Sequence, residues 1–368
     1  MLNKPSMLMF VYNDLTTDAR VQRSLDTLAS AFDITILSTG SKLERDNIEE
    51  IIVESTKTGM IKYFDVVRKV IHYERKQKYE YVYLHDYYSC LVGLLLSKRE
   101  KIIYDAHELI IGTREYPVSI REKFFGFFEK QIVKRAHLVI CADRKRAEIM
   151  QKYYKLKQTP VVIPNYSELP LVENSSLTSE MIDFFNDSRK TFVYAGALVE
   201  GRHIDSILYD TSKVSSEYKV LIIGDGSERQ NLECIAKDCN RLKYLFLGSI
   251  PYRNLGAILK RCDVGFLSYP MTDLNNIYCA PNKIYEYASV ELPMICNDNP
   301  NLISVVGENG IGVCYSENGA RDCVGSIVEA LGIIDHDYEK YKNNIRVFRR
   351  ENSWDRIRKY YLNKVQYI

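Results

Sequence analysis

The sequence predicts two doubly wound α/β domains in series, facing a shared cleft. Three observations carry that reading. Short β-branched and aromatic runs alternate with longer amphipathic stretches, the alternation breaks near the middle at a segment rich in proline, serine and asparagine, and it then restarts with the same rhythm. A length of 368 residues suits two such domains at roughly 150 residues each.

In the first half the strand-like runs are MLMFVY (7–12), FDITILS (32–38), YVYLH (81–85), KIIYDAH (101–107), HLVICA (137–142) and TPVVIP (159–164). Amphipathic stretches at 18–32, 59–78 and 120–136 separate them. The run 161–180 has linker composition and places the boundary near 165–170. The second set follows as TFVYAG (191–196), YKVLIIG (218–224), YLFLG (244–248), VGFLSY (264–269), LPMICN (292–297) and GIGVCY (310–315). Domains are therefore expected at 1–165 and 166–340, with 341–368 a charged helical tail carrying the lone tryptophan, Trp354.

Composition narrows the function classes. With 46% hydrophobic and 27% charged residues the chain reads as an ordinary globular protein. Its longest uncharged run, 87–97, is too short for a membrane-spanning helix, which needs roughly 18 to 20 apolar residues. The brief apolar run at the start leads into NDLTTD and does not read as a secretory signal, so a cytoplasmic location is expected. Nine scattered cysteines without a CxxC pair read as reduced thiols, and no His/Cys spacing suggests a structural metal. The net charge of +2 gives no reason to expect nucleic acid. It is unevenly divided: residues 1–165 carry 27 Lys/Arg against 21 Asp/Glu, which suits an anionic partner for the first half.

In tandem α/β domains, ligands bind where strands end and helices begin. After the first strand, Asp18, Arg20 and Arg23 open a helix with Val21, Leu25 and Leu28 as its apolar stripe; an acceptor or phosphate contact fits, as does an acidic helix start with a solvated basic face. His85 and Asp86, then Asp105, His107 and Glu108, end two further strands, so two histidines and three carboxylates converge on one sheet edge. In the second half Gly196 ends a strand ahead of Arg202, and Gly224, Asp225 and Gly226 form a second tight strand-to-helix turn suited to phosphate. YCAPNKIYEYASVELPMI (278–295) opens a helix at Pro281 and Asn282, with Lys283 in the first turn and Glu286 on the same side. That pair suits a nucleoside diphosphate, with cation and N–H groups for phosphate and a carboxylate for the ribose hydroxyls; an i, i+3 surface pair is the plainer alternative.

Taken together, DARVQRSLDTLA, IIYDAHEL, EKQIVKRAHLVICAD, VVIPN, YAGALVEGR, IIGDG, YLFLGSIPYRNLGAIL, CDVGFLSY and APNKIYEYASVELPMI resemble, in order and spacing, the retaining nucleotide-sugar-dependent glycosyltransferases of the glycosyltransferase-B fold, family four, of bacterial cell-surface polysaccharide synthesis. The resemblance implies an acceptor-binding first domain, a donor-binding second domain and a last helix returning to the first. It implies Arg202 and Lys283 as diphosphate neutralisers, Glu286 as ribose ligand, and Gly196, Gly224 to Gly226 and Gly248 to Ile250 as donor walls, with Pro281 and Asn282 at the helix mouth. His107 would lie close to the transferred sugar, with Asp18, Arg20, Asp86 and Glu108 on the acceptor side. Neither metal nor other cofactor is implied, the nucleotide sugar being a substrate. The chain departs from the family pattern at Tyr278, where the first glutamate of Glu-x7-Glu is usual, so that the sugar contact is either missing or supplied by Asn276 or Cys279, at Ala197, where an arginine is common, and at Glu291, where a glycine is usual.

The expected activity is transfer of a hexose or N-acetylhexosamine, from UDP as first choice, to a glycan or lipid-linked glycan. A non-catalytic partner subunit of the same shape and a nucleotide-sugar epimerase are the rival readings. A peripheral membrane contact is a further expectation, because IREKFFGFFEKQIVKRA (120–136) and the basic stretch at 62–78 combine aromatic and cationic residues. The competing reading buries those aromatics against the sheet, since a crossover helix must hide one face.

Overall fold

A computed structural model describes residues 4–16, 18–96, 100–170, 178–316 and 318–368. The Ser/Asn-rich part of the linker, 171–177, lies outside the described residues. The first half runs β1 (Ser6–Val11), α1 (Ala19–Leu28), β2 (Asp33–Ser38), β3 (Glu49–Ile52), α2 (Gly59–Glu74), β4 (Tyr81–His85), α3 (Cys90–Leu95), β5 (Lys101–Ala106), α4 (Ile120–Arg135), β6 (Leu138–Cys141), α5 (Arg144–Tyr154) and β7 (Val161–Val162). The chain continues with α6 (Ser179–Asn186), β8 (Lys190–Ala195), α7 (Ile204–Lys213), β9 (Tyr218–Ile223), α8 (Arg229–Asp238), β10 (Tyr244–Phe246), α9 (Tyr252–Leu259) and β11 (Val264–Leu267). It closes with α10 (Leu274–Ile277), α11 (Asn282–Ser289), β12 (Met294–Asn297), α12 (Pro300–Leu302), β13 (Gly312–Tyr315), α13 (Ile327–His336), α14 (Tyr338–Glu351) and α15 (Trp354–Gln366).

Two compact units result: Met1–Asn165 with Asp273–Ala280 and Trp354–Ile368, and Tyr166–Thr272 with Pro281–Ser353. The main break falls where the linker composition puts it. The division differs from the sequence reading in two ways: the segment 273–280 belongs to the first unit, and α14 stays in the second, so that α15 alone among the tail helices packs on the first.

The first unit holds a seven-stranded sheet, parallel throughout, in the order β3-β2-β1-β4-β5-β6-β7. Its central strands are buried on both faces, which is why they read as unbroken apolar runs rather than alternating ones. Leu8 and Phe10 of β1 pack with Val82, Leu84 and Tyr104 beneath α2 to α4. Met7 and Met9 face the other way, with Tyr83 and Ile103, toward α1 and α15. The acidic strand β3 gave no signal in the sequence because its carboxylates serve the loop beside it: Glu50 accepts from the N–H groups of Leu43 and Arg45, and Glu49 accepts from Thr35 and Tyr73.

Helix α15 is pinned to this unit by its buried side. Tyr361 and Val365 are in the core, the Tyr361 hydroxyl meets that of Tyr83 at 2.8 Å, and the Trp354 Nε1–H donates to Thr27 Oγ1 at 3.1 Å.

The second unit repeats the design with six parallel strands in the order β10-β9-β8-β11-β12-β13. Phe192, Val220, Ile222, Phe266 and Ile295 form its centre. Lys219, buried within β9, is tolerated because its Nζ donates to the carbonyls of Phe184 and Asp187 at the end of α6, at 2.8 and 2.7 Å. Truncating a fully buried aromatic of this kind should cost about 3 to 5 kcal/mol. Tyr361→Ala is accordingly expected to lower the melting temperature well below that of the parent, and calorimetry giving the parental transition would show that α15 is not integral to the fold.

Candidate active site

Both sheets have their topological switch point between the first and fourth strands of their unit, and open parallel sheets bind ligands at the carboxyl ends of those strands. In the first unit the switch lies between β1 and β4, with β5 alongside. The register sets His85 beside both Val11 and Asp105.

Asp105 is the hub. Arg20 grips it through Nε, at 3.2 and 3.1 Å to the two carboxylate oxygens, and through Nη2 at 2.6 Å. Tyr83 donates to Asp105 Oδ2 at 3.1 Å. Burial pushes the Asp105 carboxyl up, but the guanidinium outweighs it and holds it at about 2. Arg20 Nη1 donates further to the Ile163 carbonyl and Asn165 Oδ1. The expectation that Arg20 faces an acceptor therefore meets a different placement: all three of its nitrogens are engaged inside the unit, and only 7% of the residue is exposed.

His107 and His85 sit beside this pair. His107 Nε2 lies 3.2 Å from His85 Nδ1, and His107 Nδ1 lies 3.8 Å from Asp18 Oδ2. Burial, reinforced by His107, drives the His85 pKa down to about 3. Burial also lowers that of His107, against the pull of Asp105 and Asp18. Both rings are therefore neutral near pH 7. Asp18 caps α1 through the Val21 N–H at 3.1 Å; burial raises its pKa, but His107 and that N–H outweigh it and leave it lowered. Asp86 has a left-handed backbone (φ 61°) and a buried Oδ1 with no hydrogen-bond partner among the described residues, while Glu108 stands exposed at the rim. The structure thus gathers Asp18, His85, Asp105 and His107, with Asp86 and Glu108 on the same edge.

His85, Asp105 and His107 offer ligand atoms within 4.8 Å of one another. Arg20 already occupies both Asp105 oxygens, so a metal ion would stand against a fixed guanidinium, and the trio does not fit a metal centre.

Arg146 of α5 was not singled out in the sequence. It is buried, and its guanidinium donates to the carbonyls of His107 (2.8 Å), Asn275 (2.9 Å) and Tyr278 (2.6 Å) and to Asn275 Oδ1 (2.9 Å). Asn275 Oδ1 also accepts from the Leu109 N–H. This clip holds 273–280 in the first unit. Asn276, hydrogen-bonded to Asp273, and Tyr278, packed against the first unit's core, belong to the first unit, whereas the other donor candidates belong to the second. The sequence signal was slight: an arginine one turn into the helix after β6.

In the second unit the switch lies between β8 and β11. Gly196 and Gly224 approach so closely that a Cβ on Gly224, at φ +132°, would stand 1.8 Å from the Gly196 carbonyl oxygen. A Cβ on Gly226 would come within 2.2 Å of the Leu198 carbonyl oxygen. These glycines are required by the close approach of two strand-end turns. The Asp225 side chain accepts from the Gly226 N–H, and the Gly224 N–H donates to Gly248. Ile250, two residues beyond Gly248, is half-buried. Arg202 reaches the end of β11, donating to the Ser268 carbonyl at 3.1 Å with its guanidinium 3.9 Å from the Tyr269 ring centre.

Helix α11 enters as the sequence reading has it, with Pro281 at its N-cap. Tyr287 anchors it, accepting from the Ala195 N–H and donating to the Phe266 carbonyl. Lys283 Nζ meets Glu286 Oε2 at 2.6 Å, and Glu286 is only 3% exposed, so the pair is not the solvated surface contact. Asn282 Oδ1 and Ser268 Oγ are buried without a hydrogen-bond partner among the described residues. Uncompensated polar atoms of this kind call for a ligand or water.

This pair of Rossmann-type sheets is the glycosyltransferase-B fold, and the family models agree. Residues 180–348 match the glycosyl transferases group 1 model and residues 22–166 match glycosyltransferase family 4. The chain belongs to this family of nucleotide-sugar-dependent transferases. No curated protein sequence matches the chain. Similar solved structures include the Anabaena HepE protein in complex with UDP and glucose (TM-score 0.75, 13% identity, 99% of this chain and 100% of that one). Sucrose-phosphate synthase from Thermosynechococcus elongatus (0.71, 14%, 96% of each) and a glycosyltransferase from Rickettsia africae (0.70, 13%, 98% and 97%) are also similar.

Two outcomes test this site. The unfolded chain takes up a proton on His85 near the ordinary histidine pKa of about 6.5, whereas the folded chain resists until about pH 3, so native stability is full above pH 6.5 and declines as the pH falls toward 3. Melting temperatures at pH 7 and pH 5 should differ less in His85→Gln than in the parent; equal differences would mean that His85 is not held neutral. Gly224→Ala should destabilise by at least about 2 kcal/mol from steric overlap and backbone strain, and a parental melting curve would contradict the close approach.

Proposed function

We propose that this protein is a retaining transferase that moves a hexose or N-acetylhexosamine from a nucleoside diphosphate, UDP first, to a glycan or lipid-linked glycan. The observation that carries the proposal is the second unit's strand-end edge, which carries glycine-opened turns, Arg202 against the end of β11, the Lys283 and buried Glu286 pair in α11, and two buried polar atoms without hydrogen-bond partners among the described residues. The presence of UDP and glucose in the similar Anabaena structure supports the same choice of donor.

In this reading the N-terminal end of α11 and the side chains of Arg202 and Lys283 neutralise the leaving diphosphate. Glu286 accepts hydrogen bonds from the ribose hydroxyls, with Lys283 shifting from Glu286 toward phosphate as donor arrives. Asn282 Oδ1 and Ser268 Oγ gain partners from the donor or its bound water. Two cations and a helix N-terminus supply the charge stabilisation a divalent ion would otherwise give, so the proposed reaction needs no metal. The first unit takes the acceptor, with neutral His107 as the polar contact nearest the transferred sugar and Asp18, Asp86 and Glu108 around it. Among the described residues no helix is long and apolar enough to cross a membrane, and we place the enzyme at the cytoplasmic face in peripheral contact with the bilayer.

UDP without added metal should raise the melting temperature, as a ligand of the native state does. Glu286→Ala should lose most of that rise. Arg202→Ala and Lys283→Ala should each reduce turnover by about 10² to 10³. Undiminished UDP stabilisation of Glu286→Ala, or parental turnover in both cation variants, would refute the assignment of this site.

A further inference from the structure

Helices α2 and α4 each leave apolar side chains in solvent in the first unit. On α4, Ile120, Phe124 and Phe127 recur at helical spacing on one side and are 85%, 39% and 62% exposed, while Phe125 alone of the four phenylalanines is fully buried. On α2, Met60, Ile61 and Phe64 are exposed in the same manner, and the Phe64 and Phe124 rings meet edge to face with centres 6.4 Å apart. The two helices thus present one continuous apolar surface. Exposed apolar patches of this kind mark binding surfaces.

The exposed charges of α2 and α4 are one-signed. Every charged residue classed as exposed on α4 is basic: Arg121, Lys123, Lys130 and Lys134. The carboxylates of α4 are withdrawn, Glu122 into the capping box with Ser119 and Glu129 into the core under Tyr104 and Tyr154. On α2, Glu74 is buried and Asp65 is held by Arg68 and Lys69. Along α2 the outward face changes from apolar at Met60 and Phe64 to cationic at Arg68 and, just past the helix end, Arg75.

Between α2 and α3 lies a groove of about 810 Å³. Val67, Ile71, Leu91 and Leu95 line its apolar wall, and Arg68 and Arg75 stand among its basic residues. An apolar channel with a cationic rim matches an amphiphile that has a hydrocarbon chain and an anionic head.

We infer that the α2–α3–α4 face seats the first unit on an anionic bilayer, with Ile61, Phe64, Ile120, Phe124 and Phe127 entering the interfacial region and the α2–α3 groove holding one anionic lipid, its phosphate against Arg68 and Arg75. This names the surface and the lipid chemistry behind the peripheral contact proposed above, and rests on that part of the reading alone. Apolar insertion combined with electrostatic attraction is what holds amphipathic helices at membrane surfaces.

The test is sedimentation of the full chain with phosphatidylglycerol/phosphatidylcholine vesicles and with phosphatidylcholine alone. The parent should sediment with the anionic vesicles only, less so at high salt. Arg68→Glu with Arg75→Glu should bind at least roughly ten-fold more weakly, and Phe64→Ser with Phe127→Ser should weaken binding at low and high salt alike. Glycerol phosphate at millimolar concentration should leave the vesicle-bound fraction unchanged. Each variant should keep the parental melting temperature and the parental UDP-induced rise, which separates this surface from the donor site. Equal sedimentation with both vesicle types, parental binding by either double variant, displacement by glycerol phosphate, or a parent that dimerises through the patch and stays in the supernatant would each overturn the inference.

Discussion

The ion pair between Arg20 and Asp105 is the interaction on which the first unit's functional edge depends. It joins the first helix to the fifth strand, and through Ile163 and Asn165 it holds the chain as it leaves the sheet. Through Tyr83 it reaches Tyr361 and the returning helix. Removing one partner of such a buried pair leaves an unpaired charge, which costs about 3 to 5 kcal/mol, far more than an exposed pair would. The same pair adds to the chemistry beside it: burial keeps His85 and His107 neutral hydrogen-bonding groups, and the guanidinium further opposes a second positive charge there.

The two units share one strand order and use their switch points in opposite ways. In the first, side chains fill the crevice and Arg20, Asp105 and Tyr83 satisfy one another, with Glu108 exposed beside them. In the second, glycine draws the backbone aside and the charged groups come from the turn before α7, at Arg202, and from helix α11, at Lys283 and Glu286. The first arrangement suits a ligand of variable shape touched by a few polar atoms. The second suits phosphate, because backbone N–H groups can approach it closely.

Most of the architecture was legible because both sheets are parallel and fully covered, so their strands stand out as apolar runs between amphipathic helices. The edge strand β3 did not, since its glutamates serve a loop and carry no strand periodicity. The helix at Asn282 was legible from Pro281 and from the Lys283 and Glu286 spacing. The interior fate of Arg20 was not, because an arginine near a helix start has the same sequence signature whether it faces water or a buried aspartate 85 residues away. The clip at Arg146 was hidden for a related reason: its partners are mainly backbone carbonyls, which any sequence supplies. Glu291, where a glycine is usual in the family, has φ +59° and an ion pair with Arg346 at 2.8 Å. The left-handed backbone is one that glycine adopts without the strain a side chain brings.

Because the first unit is completed by 273–280 and by Trp354–Ile368, it is not a continuous stretch of chain. During synthesis its seven strands emerge together, yet Tyr83 lacks its hydroxyl partner and Thr27 its indole until the last helix has left the ribosome. At a few to twenty residues per second, the roughly 190 intervening residues take on the order of ten seconds or more. For that interval the nascent sheet exposes the apolar face later covered by α15, so the unit translated first is the last to be finished, and a chaperone that shields that face would act before the second unit is complete.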